Sequence, residues 1–197
     1  KNVDIVIAGY HVVRKNKKVL KQEANVTLEK IDYLKKVLRG KYGWELWAKV
    51  YRRELFDEPM YIPCHLRIGE DATVYMQLVA RSCKVKIINE ALYNYIQYPS
   101  SASHQRSVTL AEETLQAAFY IDHLLKKESF YQEIRDEIDA MYLLFYSNST
   151  RKAFLRLNHP LIYQVYQEHY SLRALKILPL FKSIYISLSL LLRKTLS

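Results

Sequence analysis

Near residue 108 the hydrophobic period of this 197-residue chain changes, and the change separates what its two parts can fold into. Beyond that point every apolar pattern is helical. Leu115, Ala118, Phe119 and Leu125 suit one amphipathic helix, and Ile134, Ile138, Met141 and Phe145 recur at steps of four, three and four on another, with Pro160 and Pro179 punctuating the remainder of the chain. Before it, residues 3–13 are rich in β-branched and aromatic side chains and lead through a Lys-rich polar turn to Val19 and Leu20, which predicts a β-hairpin. Thr27 is placed to cap a helix with Leu28, Ile31, Leu34 and Leu38 on one face and Gly40 as its stop. Residues 70–81 predict a second helix, with Val74, Leu78 and Val79 at helical spacing and the Glu70-Asp71 pair at its dipole-favoured start. Residues 85–88 and 91–98 predict two short strands. The expected fold class is α+β, predominantly α-helical.

Composition narrows the function classes. Half of the residues are hydrophobic and a quarter charged, enough for a real core. Two cysteines, Cys64 and Cys83, are too few for a disulfide framework or a cysteine-built metal site, so a reducing cytoplasm is expected and both are read as small hydrophobes. No stretch of eighteen apolar residues lacks a Lys or Arg, and no apolar leader stands at the start, so neither a membrane span nor secretion is indicated. Opening at Lys1 rather than Met, the chain reads as a fragment or a processed piece. Its net charge of +10 points to an anionic partner and is unevenly spread: residues 1–56 carry a net +8, residues 57–147 a net −5 and residues 148–197 a net +7. Seventeen tyrosines beside basic residues raise the idea of base stacking. Many of them, Tyr75, Tyr142 and Tyr166 included, sit at helical spacing among aliphatics, and no nucleic-acid-binding signature is present, so a nucleic-acid partner is not expected.

Four segments, taken in order, resemble a known family. Residues 47–56 read W-A-K-V-Y-R-R-E-L-F and are similar to the "W-x-K-L-Y-R-R-x-L-F" stretch of bacterial inverting glycosyltransferases of family two, which have the GT-A fold. Gly69-Glu70-Asp71 before a helix resembles their "G-E-D" motif. Residues 87–95 followed by Ser100-Ser101-Ala102-Ser103 resemble their "i-x-E-x-L-Y-x-Y…S-x-S" strand and loop, and the opening residues 2–6 resemble the strand after their metal-binding D-x-D region. The match spans roughly residues 1–107, which the resemblance makes the acceptor-side, C-terminal half of a GT-A domain, and leaves 108–197 as a helical extension. No D-x-D triplet occurs in the chain. The resemblance therefore implies that the nucleotide-binding half, with its divalent Mg or Mn, precedes Lys1, and that this portion alone is inactive.

The same resemblance implies the site. Asp71 corresponds to the base that deprotonates an acceptor hydroxyl, with Glu70 either meeting the acceptor or capping the helix, and both carboxylates have helix capping as their alternative reading. By the resemblance Trp47 and Lys49 fall close to the acceptor side, where an indole face suits the C–H surface of a sugar; Trp47 has a buried core anchor as its alternative reading, and Trp44 reads as core. His104 and Arg106, in the polar loop that comes next, are placed to reach the donor diphosphate or its metal, against the alternative of an exposed loop. The implied substrates are a nucleotide-sugar donor and a glycan or lipid-linked acceptor of surface-polysaccharide synthesis; the rival is a non-catalytic glycan-binding or assembly module of the cell envelope. Residues 172–197 combine Leu, Ile and Phe with five cations. They fit a helix lying in a membrane interface, with docking on the protein's own core or a dimer contact as alternatives, which leaves a cytoplasmic protein peripheral to the inner face of the membrane as the expected location.

Overall fold

In the computed structural model, residues 3–14, 17–98, 101 and 105–195 are described. The hairpin forms as expected: β1 (Ile5–Arg14) pairs antiparallel with β2 (Lys17–Lys21), and its tip, residues 15–16, lies outside the described residues. Thr27 is not a cap. It sits in β3 (Val26–Glu29), which pairs antiparallel with residues 84–87, and α1 (Lys30–Leu38) starts only after Glu29. The sheet pairing of Val26 and Leu28 with Ile87 and Val85 outweighs the local capping signal. Gly40 does end the helix, left-handed at φ +73° and donating its N–H to the Val37 carbonyl at 2.8 Å. The segment after α1 contributes β4 (Lys49–Tyr51) and a 3₁₀ turn, Arg53–Phe56.

The helix expected over residues 70–81 forms as α2 (Glu70–Arg81). The two short strands expected after it are one, β5 (Lys84–Ile96). It runs parallel to β1 from Ile5–Val85 to Val13–Ile96, and between the Ile7–Ile87 and Tyr10–Tyr93 pairs it takes six steps against three in β1. The surplus residues bulge out, so the Asn89-Glu90 pair that reads as a break is absorbed without ending the ladder. Gly9 lies at this irregularity, where a Cβ would come 2.8 Å from the Gln22 Cβ and 2.9 Å from the Lys21 carbonyl oxygen. The sheet runs β2-β1-β5-β3, with β4 pairing the first residues of β1 and β2 its last.

The helical part comes next as α3 (Val108–Leu125), a 3₁₀ turn, then α4 (Arg135–Ser149), α5 (Pro160–His169), α6 (Leu172–Ile177) and α7 (Leu180–Thr195). Ser107 and Ser171 cap α3 and α6 through their hydroxyls, and Pro160 starts α5 where its missing N–H is harmless. One buried cluster joins sheet and helices, from Ile5, Tyr33 and Leu78 through Ile121, Ile138 and Met141 to Ile162 and Ile186. α4 packs against α1, α3, α5, α6 and α7, and almost every residue in it is buried. Within this packing Asp122 accepts from Tyr131 at 2.6 Å, Tyr142 at 3.0 Å and Lys126 at 2.9 Å. Burial pushes the Asp122 carboxyl up, and these donors more than offset it, leaving it below the usual range. Tyr75 and Tyr142 are core residues, as their spacing predicts. Cys64 and Cys83 are exposed rather than packed as small hydrophobes, because one falls in the irregular loop before α2 and the other just past its end, outside the elements that build the core.

Candidate active-site cleft

A cleft of about 790 Å³ opens where the start of α2, the bulged strands and the end of α4 meet. Its first wall is built by Gly69. That residue is left-handed at φ +96°, and a Cβ on it would lie 2.3 Å from the Ala117 Cβ of α3, so only glycine brings the chain this close to α3 before turning into α2. The Gly69 carbonyl then accepts from both the Thr73 N–H and the Thr73 hydroxyl at 3.0 Å. Glu70 and Asp71 stand on the first helical turn and both line the cleft. One carboxylate oxygen of Glu70, Oε2, is buried and meets no hydrogen-bond partner among the described residues.

Asp71 is partly buried, and its carboxyl is raised above the usual range. Desolvation is the main cause, the Leu46 backbone N–H and the Lys49 ammonium pull the other way, and the nearby Glu45 charge adds to the rise. Lys49 does not line this cleft. It lies behind it, against a second cavity of about 290 Å³, 2% exposed, with its ammonium on the Glu45 carbonyl, 3.3 Å from Glu45 Oε1 and 4.7 Å from the centre of the Tyr75 ring. Burial lowers its pKa, while Glu45 and Asp71 hold it up. Its link to the cleft is therefore electrostatic, through Asp71.

Trp47 lines the cleft beside the bulge. Its ring stacks on Tyr95 and Tyr93, with centroids 4.7 and 5.0 Å away, and meets the edge of Tyr10 at 4.8 Å. The next residue, Ala48, is the one non-glycine at positive φ among the described residues, at +58°. Its carbonyl accepts the Ala8 N–H at 3.0 Å, so sheet pairing holds this strained turn and with it the indole. Trp44 packs against Phe145 at 4.6 Å in the core, as expected, and also borders the cleft.

The facing wall comes from elements that the sequence motifs do not touch. Asn148, Arg151 and Lys152 at the end of α4 line it, and so does Arg67, which Glu113 of α3 holds by its backbone N–H at 3.0 Å and by its guanidinium at 3.0 and 3.2 Å. Arg106 is exposed and borders the same cleft. His104 lies outside the described residues. The structure thus brings Trp47, Glu70, Asp71 and Arg106 to one cleft and sets Lys49 behind it. It adds Glu45, Arg67, Asn148, Arg151 and Lys152, of which only Arg151 and Lys152 leave a trace in the sequence, the basic balance of residues 148–197. Among the described residues, no three His, Cys, Asp or Glu side chains are grouped to hold a metal ion.

The cleft therefore offers a carboxylate of raised basicity, an aromatic surface and a cationic wall, a combination suited to a hydroxyl-bearing ring near negative charge. No protein-family model matches the chain. The chain is similar to the uncharacterized glycosyltransferase EpsJ of Bacillus subtilis (strain 168), at 27% identity over 124 residues. The matched stretch covers 59% of this chain and 36% of EpsJ, so the chain spans about a third of that relative. This likeness supports a glycosyltransferase relationship.

Proposed function

We propose that the chain is the acceptor-side portion of an inverting, family-two glycosyltransferase of GT-A fold. It would transfer a sugar from a nucleotide-sugar donor to a glycan or lipid-linked acceptor in surface-polysaccharide synthesis. The observation that carries the reading is Asp71, held at the start of α2 in the cleft with its basicity raised by burial. In this reading Asp71 accepts the acceptor's hydroxyl proton as that oxygen attacks the anomeric carbon and the nucleoside diphosphate leaves. Trp47 lies under the C–H face of the acceptor sugar, and Glu70, whose Oε2 meets no protein partner among the described residues, accepts a second hydroxyl. Arg106, Arg151 and Lys152 balance phosphate charge from the facing wall. The likeness to a glycosyltransferase supports the reaction class. The nucleotide-binding part of the donor site and any metal belong to the half that the resemblance implies outside this chain, and no step here passes through the metal.

The test is Asp71→Asn in the longer enzyme. Asn keeps the shape and still accepts the Leu46 N–H but takes up no proton, so transfer should fall about a hundred- to ten-thousand-fold with the melting temperature held. Normal transfer by the folded variant removes Asp71 from the role. The stack of Trp47 on Tyr93 and Tyr95 favours carbohydrate contact under the rival reading too, that of a glycan-binding module. Glycan binding that Trp47→Ala abolishes, in a longer protein that transfers no sugar, would select that rival.

A further inference from the structure

The C-terminal helix α7 is more apolar on the side it turns away from the protein than on the side it buries. At 3.6 residues per turn, Leu180, Phe181, Ile184, Leu188 and Leu191 fall within an arc of roughly 100°, and each is 51–76% exposed. The opposite side packs on the core through Ile186, Leu190 and Ser189, with the Ser189 hydroxyl 2.7 Å from the Tyr146 hydroxyl and the Ser183 hydroxyl donating to the Leu175 carbonyl at 2.7 Å. A surface helix of a soluble domain has the reverse arrangement. Leu172 of α6, 76% exposed, belongs to the same C-terminal segment.

Charge says what covers this face. No Asp or Glu comes after Glu168, while Arg173, Lys176, Lys182, Arg193 and Lys194 do. Arg173 and Lys176 are exposed on α6. A second copy laid on this face by a two-fold axis would set cation against cation with no carboxylate in the segment to neutralise them. An anionic bilayer supplies both an apolar layer and negative head groups. No helix among the described residues is long and apolar enough to cross a membrane, which leaves lying in the interface as the mode. We propose that α6 and α7 dock the protein on an anionic lipid surface, with the Phe181–Leu188 side of α7 in the acyl boundary and the exposed Arg173 and Lys176 of α6 at head-group level. Lys182 falls on the packed side of α7 and is partly buried. The Tyr185 hydroxyl is 2.6 Å from that of Thr150, at the end of α4, and Asn148 and Arg151 beside it line the cleft. Docking therefore sets the cationic wall of the cleft next to the head groups. The inference rests on α6 and α7 and stands apart from the reading of Asp71.

The test is flotation of the 197-residue chain with vesicles of phosphatidylcholine alone and with about one-third phosphatidylglycerol, at low salt, where surface cations act most strongly. The chain should float with the anionic vesicles only. Arg173→Gln and Lys176→Gln should each weaken partitioning about five-fold, and Phe181→Glu with Leu188→Glu should abolish it while the circular-dichroism melt stays unchanged, since both side chains are exposed. Absence of binding, equal binding to both vesicle types, or undiminished binding by the Glu variant overturns the proposal. A lipid-free dimer that the Glu variant dissociates, seen by light scattering without vesicle binding, also overturns it and assigns the face to a second copy.

Discussion

At the level of single residues, Asp71 is tuned by neighbours that pull in opposite directions. Desolvation and Glu45 raise its pKa; the Leu46 N–H and Lys49 lower it. Carboxyl titration followed by NMR should therefore show the Asp71 pKa falling in Glu45→Gln and rising further in Lys49→Met, and two shifts of the same sign would refute this account. Linkage fixes a stability consequence. A carboxyl raised in the folded state favours folding in its protonated form, a contribution that is lost as pH climbs through the folded pKa. Asp71→Asn should accordingly melt no earlier than the parent at neutral pH, with any advantage vanishing on acidification, and denaturation curves at neutral and acid pH check it. Glu70, Asp71, Trp47 and Arg106 were legible as cleft residues because they sit in or beside short ordered motifs. Glu45, Arg67 and Arg151 were not, because which way each points is set by packing against α2, α3 and α4 and leaves no local pattern. Lys49 differs in another way: it stands in one of these motifs, yet the strand turns it behind the wall it was expected to line.

Among the elements, α2 and α3 meet at the closest point of the site, Gly69 against Ala117. Gly69→Ala should destabilise by about 1–3 kcal/mol from overpacking and about 1–2 kcal/mol from the left-handed backbone, and it should move the start of α2 with its carboxylates. Ala117→Gly costs about 1 kcal/mol on its own, but in the Gly69→Ala background it removes the clash and returns the overpacking share. Denaturant midpoints of the four proteins measure the coupling, and simple additivity would mean that the close approach is not what requires glycine. Elements with local signals were readable: the β1–β2 hairpin, α2 to the residue, and the prolines and helical periods of the C-terminal part. Those settled by distant partners were not. Thr27 looks like a cap until β5 claims Val26 and Leu28, and β5 looks like two strands until its ladder with β1 is seen to run through the bulge.

For the whole molecule, the change of period at residue 108 marks a change of element type, and the core runs across it. Tyr33, Leu34 and Leu38 of α1 and Tyr75 and Leu78 of α2 belong to the same buried cluster as Leu115 and Ile121 of α3 and Ile138, Met141 and Leu144 of α4. Ion pairs cross the same line, Arg39 with Glu137, and Lys35 with Glu133 at 2.9 Å. If residues 108–197 were removed, the outward sides of α1 and α2 would lose their cover. Each large apolar side chain left exposed forgoes about 1.5–3 kcal/mol, and a handful of such losses equals the roughly 5–15 kcal/mol by which a domain is stable. The chain should therefore unfold as one unit, with coincident fluorescence and circular-dichroism transitions and a calorimetric enthalpy equal to the van't Hoff value. A fragment of residues 1–107 should show no cooperative transition and should recover one when mixed with residues 108–197. Two separated transitions in the whole chain, or a cooperative melt of the first fragment alone, would make the boundary a true domain border and would leave the cleft, built from both sides of it, as an interface between domains.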